Sequence, residues 1–469
     1  MSFKSDFFKN ILILGGYAYS AQLISFLSTV ILSRLLSPQT YGITNLITLF
    51  IGFIMVFADG GLSYALIRNN YGETFNRVFM NISIIFGIVL CLITVLMAYP
   101  ISLFFNSPEI KLPIIIYSSV FLIKGFSLTQ ESIIAKRLNF AFIGKATVIS
   151  IIISTSFAVI LALFGATYWA LISAQLLNAF SIAVIYQRKV KLGFKIFPVQ
   201  YLKVVFRKIK KTIKNVIGFN AINYWARNAD NLIVGKFYGQ FDLGIYNRAY
   251  SLLMLPLNLI TGLISRVLYP SLKKLKMEGG DIEKEYTSIL KIIPLITFPL
   301  VLLFILFPTK LILLLWGAKW LKVADFLPYF GLLIYTQTLL STVGQLLVLQ
   351  GKEKEFLISG WVNAFFLISG IIWGAIISLI GVAQFYSLFY LVFVLIINVI
   401  YIYISVLGFN SKNTLLFWVP KIFISIVIWF SIYYQFEMLK FMMLLVLFIE
   451  IIINLATYFR NISFYFNKK

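Results

Sequence analysis

Long apolar runs separated by short polar punctuation dominate the chain, and their spacing is that of membrane helices. Fourteen apolar segments can be drawn between residues 11 and 460, each about 20 residues or longer, enough to cross the hydrocarbon core of a bilayer as a helix. The seventh and eighth cover 215–239 and 244–268, and the last two 414–434 and 439–460. A membrane β-barrel writes short segments of strict alternation instead. The pattern predicts an all-α polytopic membrane protein with about 14 transmembrane helices.

One segment breaks the apolar rule in an ordered way. Residues Asn220, Asn223, Arg227 and Asp230 are spaced by three, four and three, so a helix over 215–239 carries them as a single stripe. Ile217, Phe219, Ile222, Trp225, Leu232 and Ile233 occupy its other faces. A charge at the centre of a span costs roughly 2.5–3.5 kcal/mol on insertion scales. Such a cost is retained where the face meets other helices or a watery cavity. The stripe therefore predicts an inward-facing polar site, and Arg227 and Asp230 are either a static ion pair or part of a substrate site.

Composition narrows the class. With 61% hydrophobic and only 12% charged residues over 469, and a mean hydropathy of +0.94, the chain lacks the polar surface of a soluble domain. Histidine is absent, which removes imidazole bases, metal ligands and pH switches. The single cysteine, Cys91, sits in the apolar run 88–95, has no internal disulfide partner and reads as a packing residue. No metal site and no cofactor are expected. The net charge of +24 does not imply nucleic acid, because membrane proteins concentrate Lys and Arg in cytoplasmic loops. Lys4 and Lys9 precede the first run and Ala18-Tyr19-Ser20 faintly resembles a cleavage site, but hydrophobicity continues to Leu36, so a retained first span is expected.

Charge placement sets orientation. With both termini in the cytoplasm, 29 of the 40 basic residues fall in cytoplasmic segments and 8 in outer ones. The largest cluster, Arg188 to Lys214, reads as a topology anchor between two halves, with anionic lipid or substrate recruitment as the alternative. The halves also repeat: 16–45 aligns with 218–247 at a constant offset of 202, matching Gly16 with Gly218, Arg34 with Lys236, Gly42-Ile43 with Gly244-Ile245 and Asn45 with Asn247. Ser25 and Ser28 stand at the positions of Arg227 and Asp230. The predicted organisation is an N-terminal six-helix half (1–190), a basic cytoplasmic linker (191–214), a second six-helix half in parallel repeat (215–408) and an additional helix pair (409–469). Two repeats rocking about a central cavity is a transporter design. The added pair carries Lys421, Glu450 and Asn454, and either pads the bundle or widens a lipid-facing groove.

Four stretches carry a family resemblance: FADGGLSYALIRN (57–69), TQESIIAKRLNF (129–140), ARNADNLIVGKFYGQFDLGIYNRAYSLLMLPLN (226–258) and SRVLYPSLKKL (265–275). They resemble the Wzx-type polysaccharide exporters of the MOP superfamily, nearest the branch of colanic-acid and teichuronic-acid exporters, over most of residues 5–410. The resemblance implies a flippase, not an enzyme, in the bacterial cytoplasmic membrane. It would move an undecaprenyl-diphosphate-linked oligosaccharide from the inner to the outer leaflet. Implied partners are that glycan, membrane lipids and glycan polymerase machinery. Lipid II flippases and MATE antiporters are the wider relatives. The chain departs from MATE proteins in its basic interior set.

A lipid-linked glycan needs cations for its diphosphate and a wet, hydrogen-bonding cavity for its sugar. The substrate-binding candidates are Lys124, Arg227, Asp230, Lys236, Arg248 and Asn223. Lys124 has no acid one turn away, so it is expected to face the cavity unless it snorkels. Arg34, Lys236 and Arg248 have interfacial anchoring as their alternative. Gate or ion-coupling candidates are Asp59, Glu131, Arg34 and Arg266, with Glu131 expected to pair with Lys136 or Arg137. Coupling to a proton or sodium gradient fits a buried carboxylate. Two other functions compete. An ion-coupled, MATE-like small-molecule exporter predicts an acid-dominated cavity. A membrane polysaccharide polymerase or ligase predicts a large outer loop with catalytic side chains.

Overall fold

In the computed structural model the backbone is described for residues 3–59, 62–68, 72–193 and 195–466. Side-chain detail leaves out residues 1–14, 457–469 and scattered helical positions, among them 59, 208–209, 211–216, 223 and 266. The described chain is helical and contains no strand. Twelve stretches among the described residues are long and apolar enough to cross a membrane. The expected seventh and eighth spans are helical as well, within two 39-residue helices that carry more charge.

Packing divides the chain into two compact units, Met1–Gly244 and Ile245–Lys469. The first unit contains α1 (Phe3–Leu35), α2 (Pro38–Asp59), α3 (Leu62–Arg68), α4 (Glu73–Phe104), α5 (Lys111–Tyr117), α6 (Ser119–Lys136), α7 (Phe140–Leu163), α8 (Thr167–Lys189) and α9 (Val199–Phe237), and the start of α10 (Gly239–Met277). Here α1 packs on α7, α7 on α8, α6 on both α4 and α8, and α2 on α9. The basic segment expected as a linker is largely helix: after Pro198 the residues from Val199 onward form the first turns of α9. Lys and Arg are good helix formers, and no Gly or Pro interrupts 199–217, so the charge that reads as a loop does not break the helix.

The second unit holds the rest of α10, then α11 (Ile282–Leu290), α12 (Ile293–Leu306), α13 (Pro308–Leu315), α14 (Leu327–Leu340), α15 (Val343–Leu349), α16 (Glu353–Ile377), α17 (Leu379–Phe389), α18 (Leu395–Ile397), α19 (Ser411–Tyr433) and α20 (Glu437–Phe466). Wide π-helical turns flank α18 at Tyr390–Val394 and Asn398–Val406. A tight hairpin joins α16 to α17. A Cβ on Gly374 would stand 2.2 Å from the Gly381 carbonyl oxygen, and one on Gly381 2.5 Å from that of Gly374. Only glycine lets the two backbones approach so closely. The added helices α19 and α20 pack on one another, α19 also on α14 and α20 on α12.

Side chains are distributed as lipid demands. Leu96, Phe164, Leu416 and Ile376 point outward at 72–84% exposure, while Thr129, Gln130, Ser150 and Ser387 are fully buried. A bilayer solvates apolar side chains and leaves polar ones to find partners inside the bundle.

Candidate functional site

The polar stripe of α9 separates into a buried and an open part. Asp230 is 4% exposed and its Oδ1 accepts from the Asn231 backbone N–H at 2.8 Å. Arg227, one turn earlier, is exposed and has no ion pair or hydrogen bond among the described residues. The static Arg227–Asp230 pair is therefore not made. Around them α9 is bolted to α2: the Tyr224 hydroxyl donates to the Leu49 carbonyl at 2.5 Å, and Trp225 packs on Phe53 and Phe50 with ring centroids 5.0 and 6.0 Å apart. Asn228 donates to the Tyr224 carbonyl at 2.8 Å. The helix thus holds a free guanidinium on a rigid, aromatic-backed surface. Asn223 lies outside the described side chains, as do Asp59 and Arg266, and Gly60-Gly61 lies outside the described residues.

Lys124 is paired, against the expectation. Its Nζ lies 2.7 Å from Glu131 Oε2, with the two side chains 29% and 34% exposed. Seven residues turn a helix through almost two full revolutions, so both project from one face of α6 with about 10.5 Å of rise between them. Two long side chains bridge that rise. Lys136 and Arg137, five and six residues from Glu131, project from other faces. Glu131 therefore pairs with Lys124 rather than with either of them.

The first unit also buries polar groups that the stripe on α9 did not foretell. Gln130, fully buried, donates to Gln187 Oε1 on α8. The Tyr117 hydroxyl donates to Gln175 Oε1 at 2.5 Å, and Asn81 donates to the Lys195 carbonyl at 2.8 Å. The second unit has its own uncharged cavity of about 380 Å³, lined by Gln337, Ser341, Ser359, Asn363, Tyr386 and Asn398. Asn398 donates to Asn363 Oδ1 at 2.9 Å, and Gln337 to the Tyr386 hydroxyl at 3.2 Å. The signal for these groups is present in the chain as isolated amides inside apolar runs, but each partner lies on another helix or in a connecting segment.

The remaining cations sit at helix ends or on aromatic rings. Repeat-related Arg34 and Lys236 both occupy last turns, of α1 and α9, where the helix dipole favours a cation, and both are exposed. Lys236 also donates to the Phe104 carbonyl at the end of α4 and lies 4.5 Å from the centre of that residue's ring. Arg248 lies over Trp316 and Trp320 at 5.8 and 5.9 Å. The structure thus gives Lys236 a backbone and an aromatic anchor and Arg248 an aromatic one.

The repeat has a physical expression. A Cβ on Gly42 of α2 would stand 1.7 Å from the Gln240 carbonyl oxygen of α10, and a Cβ on Gly244 of α10 1.9 Å from the Pro38 carbonyl oxygen of α2. Pro38 and Gln240 are themselves repeat partners at the same offset of 202. The first turns of α2 and α10 therefore cross about a local pseudo-two-fold, glycine against carbonyl on each side. Gln240 is further tied to Ser107 Oγ at 2.7 Å and Glu109 Oε1 at 2.5 Å.

A helical bundle with many membrane-length apolar helices, a duplicated helix crossing and polar groups buried inside it is the architecture of a polytopic membrane protein. Among solved structures, the lipid II flippase MurJ in an inward closed conformation superposes with a TM-score of 0.68 at 17% identity, covering 96% of this chain and all of its own. An inward-facing MATE multidrug transporter of the MOP superfamily superposes at 0.58 and 16% identity, covering 79% and 91%. Residues 31–325 match the model of the polysaccharide biosynthesis protein family, and the chain belongs to that family. Its relatives include the teichuronic acid biosynthesis protein TuaB of Bacillus subtilis, 24% identical over 80% of this chain and 74% of TuaB. The lipopolysaccharide biosynthesis protein WzxC of Escherichia coli is 22% identical over 83% and 80%.

Proposed function

We propose that this protein flips a lipid-linked oligosaccharide across a bacterial cytoplasmic membrane by alternating access, with Arg227 as a contact for the substrate's diphosphate. Membership of the polysaccharide biosynthesis family supports the substrate class, and the names of TuaB, WzxC and MurJ point to cell-surface glycans and a lipid-linked precursor. The observation that carries the site is Arg227: an exposed guanidinium on a mid-chain membrane helix, without an acid to neutralise it among the described residues. Arginine meets a phosphate through two parallel charge-assisted hydrogen bonds. Amide- and hydroxyl-rich surfaces such as the cavity at Gln337 and Asn398 suit the hydroxyl groups of a glycan. In this reading the protein is a transporter rather than an enzyme, and both termini face the cytoplasm. Glycan polymerase machinery acts on its product.

The test is flipping of a fluorescent lipid-linked oligosaccharide in proteoliposomes. A hydrogen bond to a charged group contributes about 1.5–3 kcal/mol, so Arg227→Ala should slow flipping by roughly 10- to 150-fold at unchanged protein levels. Arg227→Lys should recover part of the loss. Wild-type flipping by Arg227→Ala removes Arg227 from the site. Export of small organic cations by a wild-type protein that flips no glycan establishes the MATE-like alternative.

A further inference from the structure

The added helices hold an ion pair that the transport reading does not use. Lys421 of α19 is 3% exposed and Glu450 of α20 19% exposed. The Lys421 ammonium donates to Glu450 Oε1 and, at 3.0 Å, to the Phe417 carbonyl, and lies 3.8 Å from the centre of the Phe417 ring. Asn454 donates to the same Oε1 at 2.8 Å. That oxygen therefore receives two donors, while Glu450 Oε2 is buried and receives none among the described residues. Two more buried oxygens lack partners among the described residues: Ser425 Oγ, one turn along α19 from Lys421, and the Tyr335 hydroxyl of α14, within electrostatic range of Glu450. A purely structural ion pair in an apolar interior is stable only when its remaining hydrogen-bonding capacity is filled. This one has a bare carboxylate oxygen.

A cleft of about 520 Å³ lies beside the pair's immediate neighbours. Its walls include Ser288, Lys291 and Asn413, and also Phe417 and Asn454, which touch Lys421 and Glu450 respectively. The cleft's acids are already engaged: Asp281 accepts from the Lys284 backbone N–H at 3.0 Å, and Glu283 from that of Asn410 at 2.9 Å. Groups facing the pair from its packed neighbours are few. Lys291 faces Lys421 from the segment before α12, and Tyr335 faces Glu450 from α14. Helix α12 itself carries no titratable residue. Helix α17 and the π-helical turns bring Tyr386, Tyr390, Tyr401 and Tyr403, of which Tyr403 is bonded to Tyr286 at 3.1 Å.

We propose that Glu450, held by Lys421, is a proton-exchange site of this transporter, reached by water through the cleft between α11, α19 and α20. A proton passes from hydronium in the cleft to Glu450 Oε2, forming an O–H bond and leaving water. The carboxyl becomes neutral, so Lys421 loses its counter-charge and keeps only uncharged acceptors and an aromatic ring, with Lys291 of like charge in range. The attraction across α19 and α20 falls, so protonation and the packing of the added pair are linked. The proposal rests on the transport reading for its purpose, but the proton site is measurable without substrate.

The experiment uses the full-length protein in lipid nanodiscs, followed by infrared difference spectroscopy across the physiological pH range. A carboxylic-acid carbonyl band should appear reversibly as pH falls, vanish in Glu450→Gln, and shift its midpoint in Lys421→Met. In vesicles, glycan flipping should depend on pH by up to about tenfold per unit for one proton. That dependence should flatten in the Lys421→Met/Glu450→Leu double variant, which replaces the pair by apolar groups and keeps α19 packed on α20. Absence of a Glu450-dependent band in the wild type overturns the proposal, as does wild-type pH dependence in the double variant. If the wild type flips no glycan while the band titrates, the flippase reading falls and the proton site stands.

Discussion

Replacing Gly42 by alanine should open the crossing of α2 and α10. The new Cβ would start 1.7 Å from the Gln240 carbonyl oxygen and 2.5 Å from its carbonyl carbon, where ordinary contact begins near 3.4 Å. The obstacle is backbone in the first turn of α10, so no rotamer change relieves it. The two helices must separate by more than 1 Å, taking Gly244 away from Pro38 on the other side of the pseudo-two-fold. Overpacking of a tight contact costs about 1–3 kcal/mol. In an isolated helix the same change would gain about 1 kcal/mol, so a loss here reads the contact and not helix propensity. If the crossing is the closed state of an outer gate, the balance between closed and open shifts by roughly 5- to 150-fold toward open.

Spin labels at Gln39 and Phe241 read this directly. They are repeat partners on the two helices, and both are exposed. Cys91→Ser clears the background and retains a hydroxyl for Ser118, whose Oγ lies 3.3 Å from the thiol. The wild type should give a dominant short distance. Gly42→Ala and Gly244→Ala should each move population to a longer one and slow glycan flipping. Because the two glycines share one contact, the double variant should cost less than the sum of the singles. An unchanged distance distribution in Gly42→Ala would refute the reasoning.

Neutralising one member of the Lys124–Glu131 pair should slow flipping more than neutralising both, since a single change strands a half-buried charge. Comparing Lys124→Gln, Glu131→Gln and the double variant in vesicles measures this, and additive losses would count against a coupled pair. Gly374→Leu should lower thermal stability in detergent markedly or abolish folded expression. Its side chain has no room beside the Gly381 carbonyl, and overpacking there costs about 1–3 kcal/mol or more. A wild-type melting temperature would show that the α16–α17 hairpin relaxes freely.

Much of the fold was legible because lipid makes hydropathy a direct reporter of structure. Apolar runs of membrane length gave the helices, and the repeated Gly-Ile at 42–43 and 244–245 marked a place where two equivalent helices meet. Charge was a poorer guide. The basic tract after Arg188 reads as a loop, but a helix tolerates a run of Lys and Arg when no Gly or Pro interrupts it, and α9 begins at Val199. The one-turn rule for ion pairs likewise hid Glu131 from Lys124, because long side chains also meet two turns apart on one face.

Partners on different helices were out of reach for a physical reason. Gln130 and Gln187 are 57 residues apart, and Lys421 and Glu450 are 29 apart. Periodicity tells which face of one helix is polar but not which second helix satisfies it. A membrane interior sharpens the consequence, because an amide or carboxylate without a partner there has no water to fall back on. Every isolated polar residue in an apolar run is therefore a request for a partner. The informative residues are those whose request remains unmet after folding. On that criterion Arg227 and Glu450 differ from Lys124, Lys236 and Arg248. Helix α6 answers Lys124 with Glu131, and carbonyls or indoles answer the other two. Arg227 presents a whole guanidinium and Glu450 a single oxygen, which suits a diphosphate in the first case and a proton in the second.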